Sequence, residues 1–118
     1  MAIERQRVSR GEFILDASDI GIEQIVIASE NLLYAGAVLG QITESGSYGP
    51  YDPNATDGTQ TADAVLCDTA DARNGDASAM GITNNAELIA SLLDWGEVDA
   101  PGVAMGTSQL RTNLIVLR

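Results

Sequence analysis

The residues with most chemical potential lie between positions 46 and 71. The stretch GSYGPYDPNATDGTQTADAVL, residues 46–66, gathers Gly, Pro, Asn, Asp and Thr and then turns abruptly apolar. Within it, DPNATDGTQTAD (52–63) is twelve residues long and offers oxygen donors at Asp52, Asn54 and Thr56, with an acid at its twelfth position. That is the outline of a calcium loop. An EF-hand loop, however, needs glycine at the sixth position for its sharp turn, and Asp57 stands there, with no flanking helical pattern. The competing reading is mechanical. Pro50 and Pro53 push Gly49 and Asp52 toward extended geometry, Asp57-Gly58 closes a tight turn, and residues 59–61 lead into a strand. The misplaced glycine favours this second reading, a rigid, wide connection between strands.

A second chemical candidate follows in LCDTADA. An Asp-Thr-small turn after an apolar strand is the outline of an aspartic-protease catalytic loop, in which two carboxylates share one proton, one from each copy in a homodimer. Ala70 stands where glycine is usual, and no glycine-rich flap pattern precedes a supporting apolar-Gly-Arg segment. The competing reading of Asp68 is an exposed strand end. Cys67, the single cysteine, has no neighbouring base to activate it and reads as a small, partly buried thiol. There is no His and no Lys, which removes Ser-His-Asp and Cys-His machinery, histidine metal sites, Walker A loops and Schiff-base chemistry. The expectation is a non-enzymatic chain with no cofactor and no metal.

Charge narrows the partners. Seventeen acids face six bases, all arginine, for a formal charge of −11. Such a body repels a phosphate backbone, so nucleic acid is not an expected partner. Three of the six arginines, Arg5, Arg7 and Arg10, fall in the first ten residues, which read either as a solvated tail or as a short arm that docks on a partner. The apolar runs are far shorter than the roughly 20 residues a membrane span requires, and no secretory pattern opens the chain. The expectation is therefore no membrane and synthesis in the cytoplasm.

These groups must be positioned by a single domain of 118 residues, 45% of them hydrophobic, with mean hydropathy near zero. GEFIL (11–15) reads as a short strand. IEQIVIA (22–28) is β-branched and alternating, with Ile25 and Ile27 on one face and Val26 on the other. AGAVLGQIT gives another strand, in which Gly36 and Gly40 mark a bend or a close backbone approach. ADAVLCD (62–68), the Asn-Gly-Asp turn at 74–76 and ASAMGIT read as strand, turn and return strand. In NNAELIASLLDWG, Leu88, Ile89, Leu92 and Leu93 have helical spacing, with Asn84 or Asn85 as cap and Gly96 as stop. Asp99 is a candidate N-cap with Pro101 in the first turn of a following helix that Gly102 and Gly106 weaken. LIVLR closes the chain as a strand.

One long segment carries a resemblance. Gly36, Val38, Leu39, Gly40, Ile42, Thr43, Ser45, Gly46, Tyr48, Pro50, Tyr51, Asp52, Pro53, Ala55, Asp57, Gly58, Gln60 and Leu66 fit the form G-x-V-L-G-x-I-T-x-S-G-x-Y-x-P-Y-D-P-x-A-x-D-G-[ST]-Q-x-A-x-x-[IV]-L. In this the chain resembles the lambda-type head decoration, or capsid-stabilising, proteins of tailed bacteriophages. GEFIL, AELIASLLDW and the terminal LIVLR resemble further segments of that family. The resemblance implies that 86–95 is extended rather than helical, with the helix displaced to about 100–112.

It further implies a mainly β, compact β-clip or barrel-like domain (16–118) with one short C-terminal helix and an extended N-terminal capsid-binding arm (1–15). Three copies would sit as a homotrimer on the outer surface of the mature, expanded virion capsid. There they would cement major capsid protein subunits against the pressure of packaged DNA. In this reading Glu12, Phe13, Ile14 and Leu15 add a strand to a capsid protein sheet, and Arg5, Arg7 and Arg10 meet acidic capsid surface. Tyr48, Pro50, Tyr51, Asp52 and Pro53 shape the fold and are candidate trimer contacts. Two alternatives stand beside it: a virion spike or adhesive module of the same fold that binds a host glycan or protein, and, more distantly, the small homodimeric aspartic-type protease.

Overall fold

A computed structural model describes residues 14–16 and 20–118. The architecture is mainly β with one helix near the C-terminus. Its centre is a closed five-stranded barrel of β2 (Gly21–Ile27), β5 (Tyr48–Pro50), β4 (Val38–Gln41), β6 (Ala64–Leu66) and β8 (Ala77–Asn84), in that order around the wall. Closure leaves these strands no open edge to manage. β2 and β8 run antiparallel along their whole length, from Gly21 opposite Asn84 to Ile27 opposite Ala77. The expected alternation in β2 holds: Ile25 and Ile27 are buried, and Val26 is exposed.

Two small sheets attach to the barrel. β3 (Leu32–Leu33) pairs with β7 (Ala70–Asp71). The other sheet has β9 (Ala86–Leu88) at its centre, antiparallel to β1 (Ile14–Asp16) on one side and parallel to β10 (Ile115–Leu117) on the other.

The hydrophobic residues form two cores that share walls. Ile25, Ile27, Leu39, Ala64 and Leu66 belong to the inner cluster. Val38, Val65, Cys67 and Ile82 belong to an outer one with Tyr51, Leu88, Leu93, Leu110 and Ile115. In β4 and β6 successive residues therefore feed different cores, because side chains alternate across a strand. Both strands are buried on both faces, which is why AVL and VL read as continuous apolar runs. Leu66, Leu110 and Ile115 have no exposed surface, and burying each such side chain contributes roughly 1.5–3 kcal/mol.

α1 (Ala100–Thr112) lies where the resemblance implied. Asp99, in extended conformation, accepts the Gly102 N–H on Oδ1 at 3.0 Å, and Pro101 occupies the first turn, where its missing N–H leaves no bond unmade. Arg111 in the last turn suits the negative end of the helix dipole.

The extended reading of 86–95 needs correction. The strand covers only Ala86–Leu88, and a single 3₁₀ turn, Ala90–Leu92, follows. The backbone changes partners along this segment. Ala86 and Ala90 donate to carbonyls of the C-terminal stretch (Leu114 and Arg118), whereas Asp94 donates to Gly36 O and accepts from Val38 N–H. Passing from one sheet to the barrel wall in so few residues requires a corner. The helical spacing survives only as that one turn, with Leu88 and Leu93 buried and Leu92 exposed.

Candidate functional site

The proline-bracketed segment is seated against the barrel by backbone contacts. Asp52 N–H donates to Thr59 O at 3.0 Å, and Thr43 N–H donates to Asp57 O at 2.9 Å. The loop lies so close to β4 that a Cβ on Gly40 would come within 2.5 Å of Thr59 Cα, and one on Gly58 would strike Gln41 O. Gly58 also has φ +116°, a conformation that side-chain-bearing residues rarely adopt. The close approach expected at Gly40 is this contact.

The loop's carboxylates serve its own turns. Asp57 Oδ1 accepts both the Thr59 N–H (3.0 Å) and the Thr59 hydroxyl (2.7 Å), which hold its carboxyl below the ordinary carboxylate range. Asp52 Oδ1 accepts the Asn54 N–H at 2.9 Å. Asp63 Oδ2 accepts the Gln41 N–H at 3.2 Å, and partial burial pushes its pKa up against that bond. Among the described residues no group of three or more acids or cysteines is placed to hold a metal ion. Asp68, the protease candidate, is an exposed strand end whose Oδ1 accepts the Thr69 N–H at 2.9 Å.

The five expected contact residues of this segment face different surroundings. Tyr51 is buried inside its own chain: its hydroxyl donates to Gly102 O at 2.8 Å, and its ring meets Trp95 edge-on, with centroids 5.8 Å apart. Tyr48 is half-buried, and its phenol pKa is raised by burial, then by Asp63 and Glu23. Pro50 and Asp52 are exposed, and Pro53 is half-buried beside Gly102. Tyr51 is thus a fold-shaping residue, and the surface it leaves to neighbours is small.

Close packing also explains the helix glycines. A Cβ on Gly106 would lie 2.6 Å from the Trp95 ring and 3.0 Å from the Tyr51 ring, and one on Gly102 would lie 2.5 Å from Val98 Cγ1. Sequence reasoning took these glycines as weakening the helix and missed their role. The signal was present, because a spacing of four puts both on one helix face.

Beside this packing opens a cleft of about 720 Å³, between the 50–54 segment, the 94–99 segment and the first turns of α1. Its walls are apolar (Pro53, Trp95, Met105), and its rim carries Asp52, Asp94, Glu97 and Asp99, all exposed.

The expected capsid-binding residues divide at position 14. Arg5, Arg7, Arg10, Glu12 and Phe13 lie outside the described residues. Ile14 is half-buried, packs on the outer core and pairs with Leu88, and Leu15 lies with it in β1. The last residues of the expected arm, Ile14 and Leu15, therefore lie in a strand that is paired with β9. β1 is the outermost strand of its sheet, with one edge on β9 and the other without a strand partner among the described residues.

No described helix is long and apolar enough to cross a membrane. No curated protein matches the chain significantly. The family model for bacteriophage lambda head decoration protein D matches residues 3–111, a span that includes β1, the barrel, the proline segment and nearly all of α1. Head decoration proteins are virion structural proteins associated with the phage capsid and are not known as enzymes. With almost the whole chain covered by that match, the protein belongs to the bacteriophage lambda head decoration protein D family.

Proposed function

We propose that the chain binds the outer surface of the mature, expanded capsid as homotrimers at three-fold positions and cements neighbouring major capsid protein subunits against the pressure of packaged DNA. The family match supports the capsid partner, and the position of β1 supports the way it is engaged. β1 pairs with β9 by one edge, and its other edge has no strand partner among the described residues; in sequence it follows directly on residues 1–13. An open edge presents a row of N–H and C=O groups that a strand of another protein can complete. In this reading Glu12 and Phe13 engage the capsid protein, and Arg5, Arg7 and Arg10 pair with acidic capsid surface. The body, with its excess of acids, stays away from the DNA.

The mechanism is linkage. A protein that binds the expanded lattice and not its unexpanded or opened forms stabilises that lattice by mass action and slows its opening. Three arms on one trimer multiply a modest contact through effective concentration. Co-sedimentation with decoration-free heads tests this reading, using the full chain and a chain lacking residues 2–13. The expected result is saturable binding to expanded heads, none to unexpanded heads, and loss of most binding without the arm. Equal binding to both head forms would contradict it.

A further inference from the structure

Of the two most exposed large apolar side chains among the described residues, one lies within α1 and the other just beyond its C-terminus. Met105, 52% exposed, lies on the cleft side of the helix's first half, and Leu114, 64% exposed, stands just past its C-terminus. Leu114 is unusual in a second way. Its φ is +63°, a conformation in which a Cβ is unfavourable and where glycine or asparagine is the ordinary choice after a helix. A leucine there incurs a backbone cost while leaving most of its surface in solvent.

Charge points the same way. A chain of formal charge −11 repels its copies except where a cation meets acids. Of the three described arginines, Arg73 is paired with Asp71 at 2.8 Å and Arg118 with Glu87 at 3.2 Å. Arg111 has no ion pair among the described residues, is exposed, and sits in the last helical turn three residues before Leu114. The cleft is its counterpart: apolar walls that include Met105, and a rim of four exposed carboxylates.

We infer that the homotrimer closes head to tail, with Leu114 and Arg111 of each copy entering the acid-rimmed cleft beside Met105 of the next. This rests on the trimer proposed above and names its contact. One repeated contact covers the two most exposed of the described apolar side chains and pairs Arg111 with Asp52, Glu97 or Asp99. Because knob and cleft are different surfaces, the contact is heterologous and forms a ring, as three-fold symmetry requires.

Cross-linking of the full chain tests it, free at high concentration and bound to expanded heads. Leu114→Cys and Met105→Cys are introduced singly and together and treated with a short bis-maleimide. Both positions are exposed, while Cys67 is buried. The double variant is expected to give covalent trimers on a denaturing gel, and each single variant almost none. Arg111→Glu in the double variant should lower the trimer yield at least about fivefold, with Glu97→Arg restoring it, as for a charge pair at an interface. No trimers beyond the single variants would overturn the inference. So would efficient dimers from Leu114→Cys alone, which mean a two-fold contact. Head binding without the cross-link would retain the capsid reading and discard this contact, and the cross-link without head binding would do the reverse.

Discussion

The inner and outer cores of this protein are built from the same strands but by different means. The inner one is aliphatic, filled by Ile25, Ile27, Leu39 and Leu66 with alanines between them, all contributed by residues at alternating positions or small turns. The outer one joins pieces remote in sequence: Tyr51 from the proline segment, Leu93 from a corner, Leu110 from the helix and Ile115 from the last strand, with Trp95 and Ile14 packed against it. The inner core depends on pattern, and the outer core on particular shapes meeting. It is the outer half that carries the cleft, β1 and the helix, the elements on which the proposed contacts rest.

That contrast can be broken at several points. The largest effect is expected where loop and barrel backbones touch. Gly40→Ala should lose about 3 kcal/mol or more in urea unfolding, because its Cβ meets backbone at Thr59 rather than a movable side chain. A loss below about 1 kcal/mol would show that the proline segment is loosely seated. In the inner core, Leu66→Ala should cost about 2–5 kcal/mol through lost burial and a residual cavity.

In the outer core the test is one of sign. Gly106→Ala improves helix propensity by about 1 kcal/mol, yet it drives a methyl group into the Trp95 and Tyr51 rings. Overpacking of about 1–3 kcal/mol should win, leaving a net loss of up to about 2 kcal/mol and a changed tryptophan emission. A stabilised variant would mean that the aromatic pair yields easily. Tyr51→Phe should cost about 1 kcal/mol by removing the hydroxyl's bond to Gly102 O, with the ring packing kept.

The smallest effects are pH-dependent and opposite in sign. Asp71 is held down to about 2 by hydrogen bonds from Arg73. Its contribution is present above the ordinary aspartate pKa of 3.8 and disappears as pH falls toward 2. Arg73→Gln should remove that slope. Asp63 is raised by burial, so the folded state binds its proton more tightly than the unfolded one. Its protonated form favours folding below pH 3.8, and that advantage is lost as pH rises through the raised value. Asp63→Asn should therefore stabilise the protein slightly at neutral pH, with the gain vanishing below pH 3.8. Unfolding curves measured across the acid range separate the two.

Much of the inner half was legible in the sequence, since β2 shows its alternation openly and the resemblance segment runs from the strand before the proline loop to β6. The Asp99 cap was legible too, because capping is local chemistry, whereas the span of α1 came from the resemblance. The 86–95 segment was not. Its spacing fits a helix, its resemblance implies a strand, and its actual course is set by which distant backbone groups it must satisfy: Leu114 at one end, Gly36 and Val38 at the other. The cleft was invisible for a similar reason. Pro53 and Tyr51 are far in sequence from Trp95 and Met105, and only the fold brings them around one cleft.

The most direct test of the cementing role measures the capsid rather than the protein. DNA-filled heads lacking the protein are mixed with increasing amounts of the full chain and heated, and DNA release is followed by nuclease sensitivity. If the chain cements the head, release shifts to higher temperature and saturates with occupancy, and the chain lacking residues 2–13 gives no shift. Saturated binding with an unchanged release temperature would contradict it, leaving a protein that coats the head without holding it together.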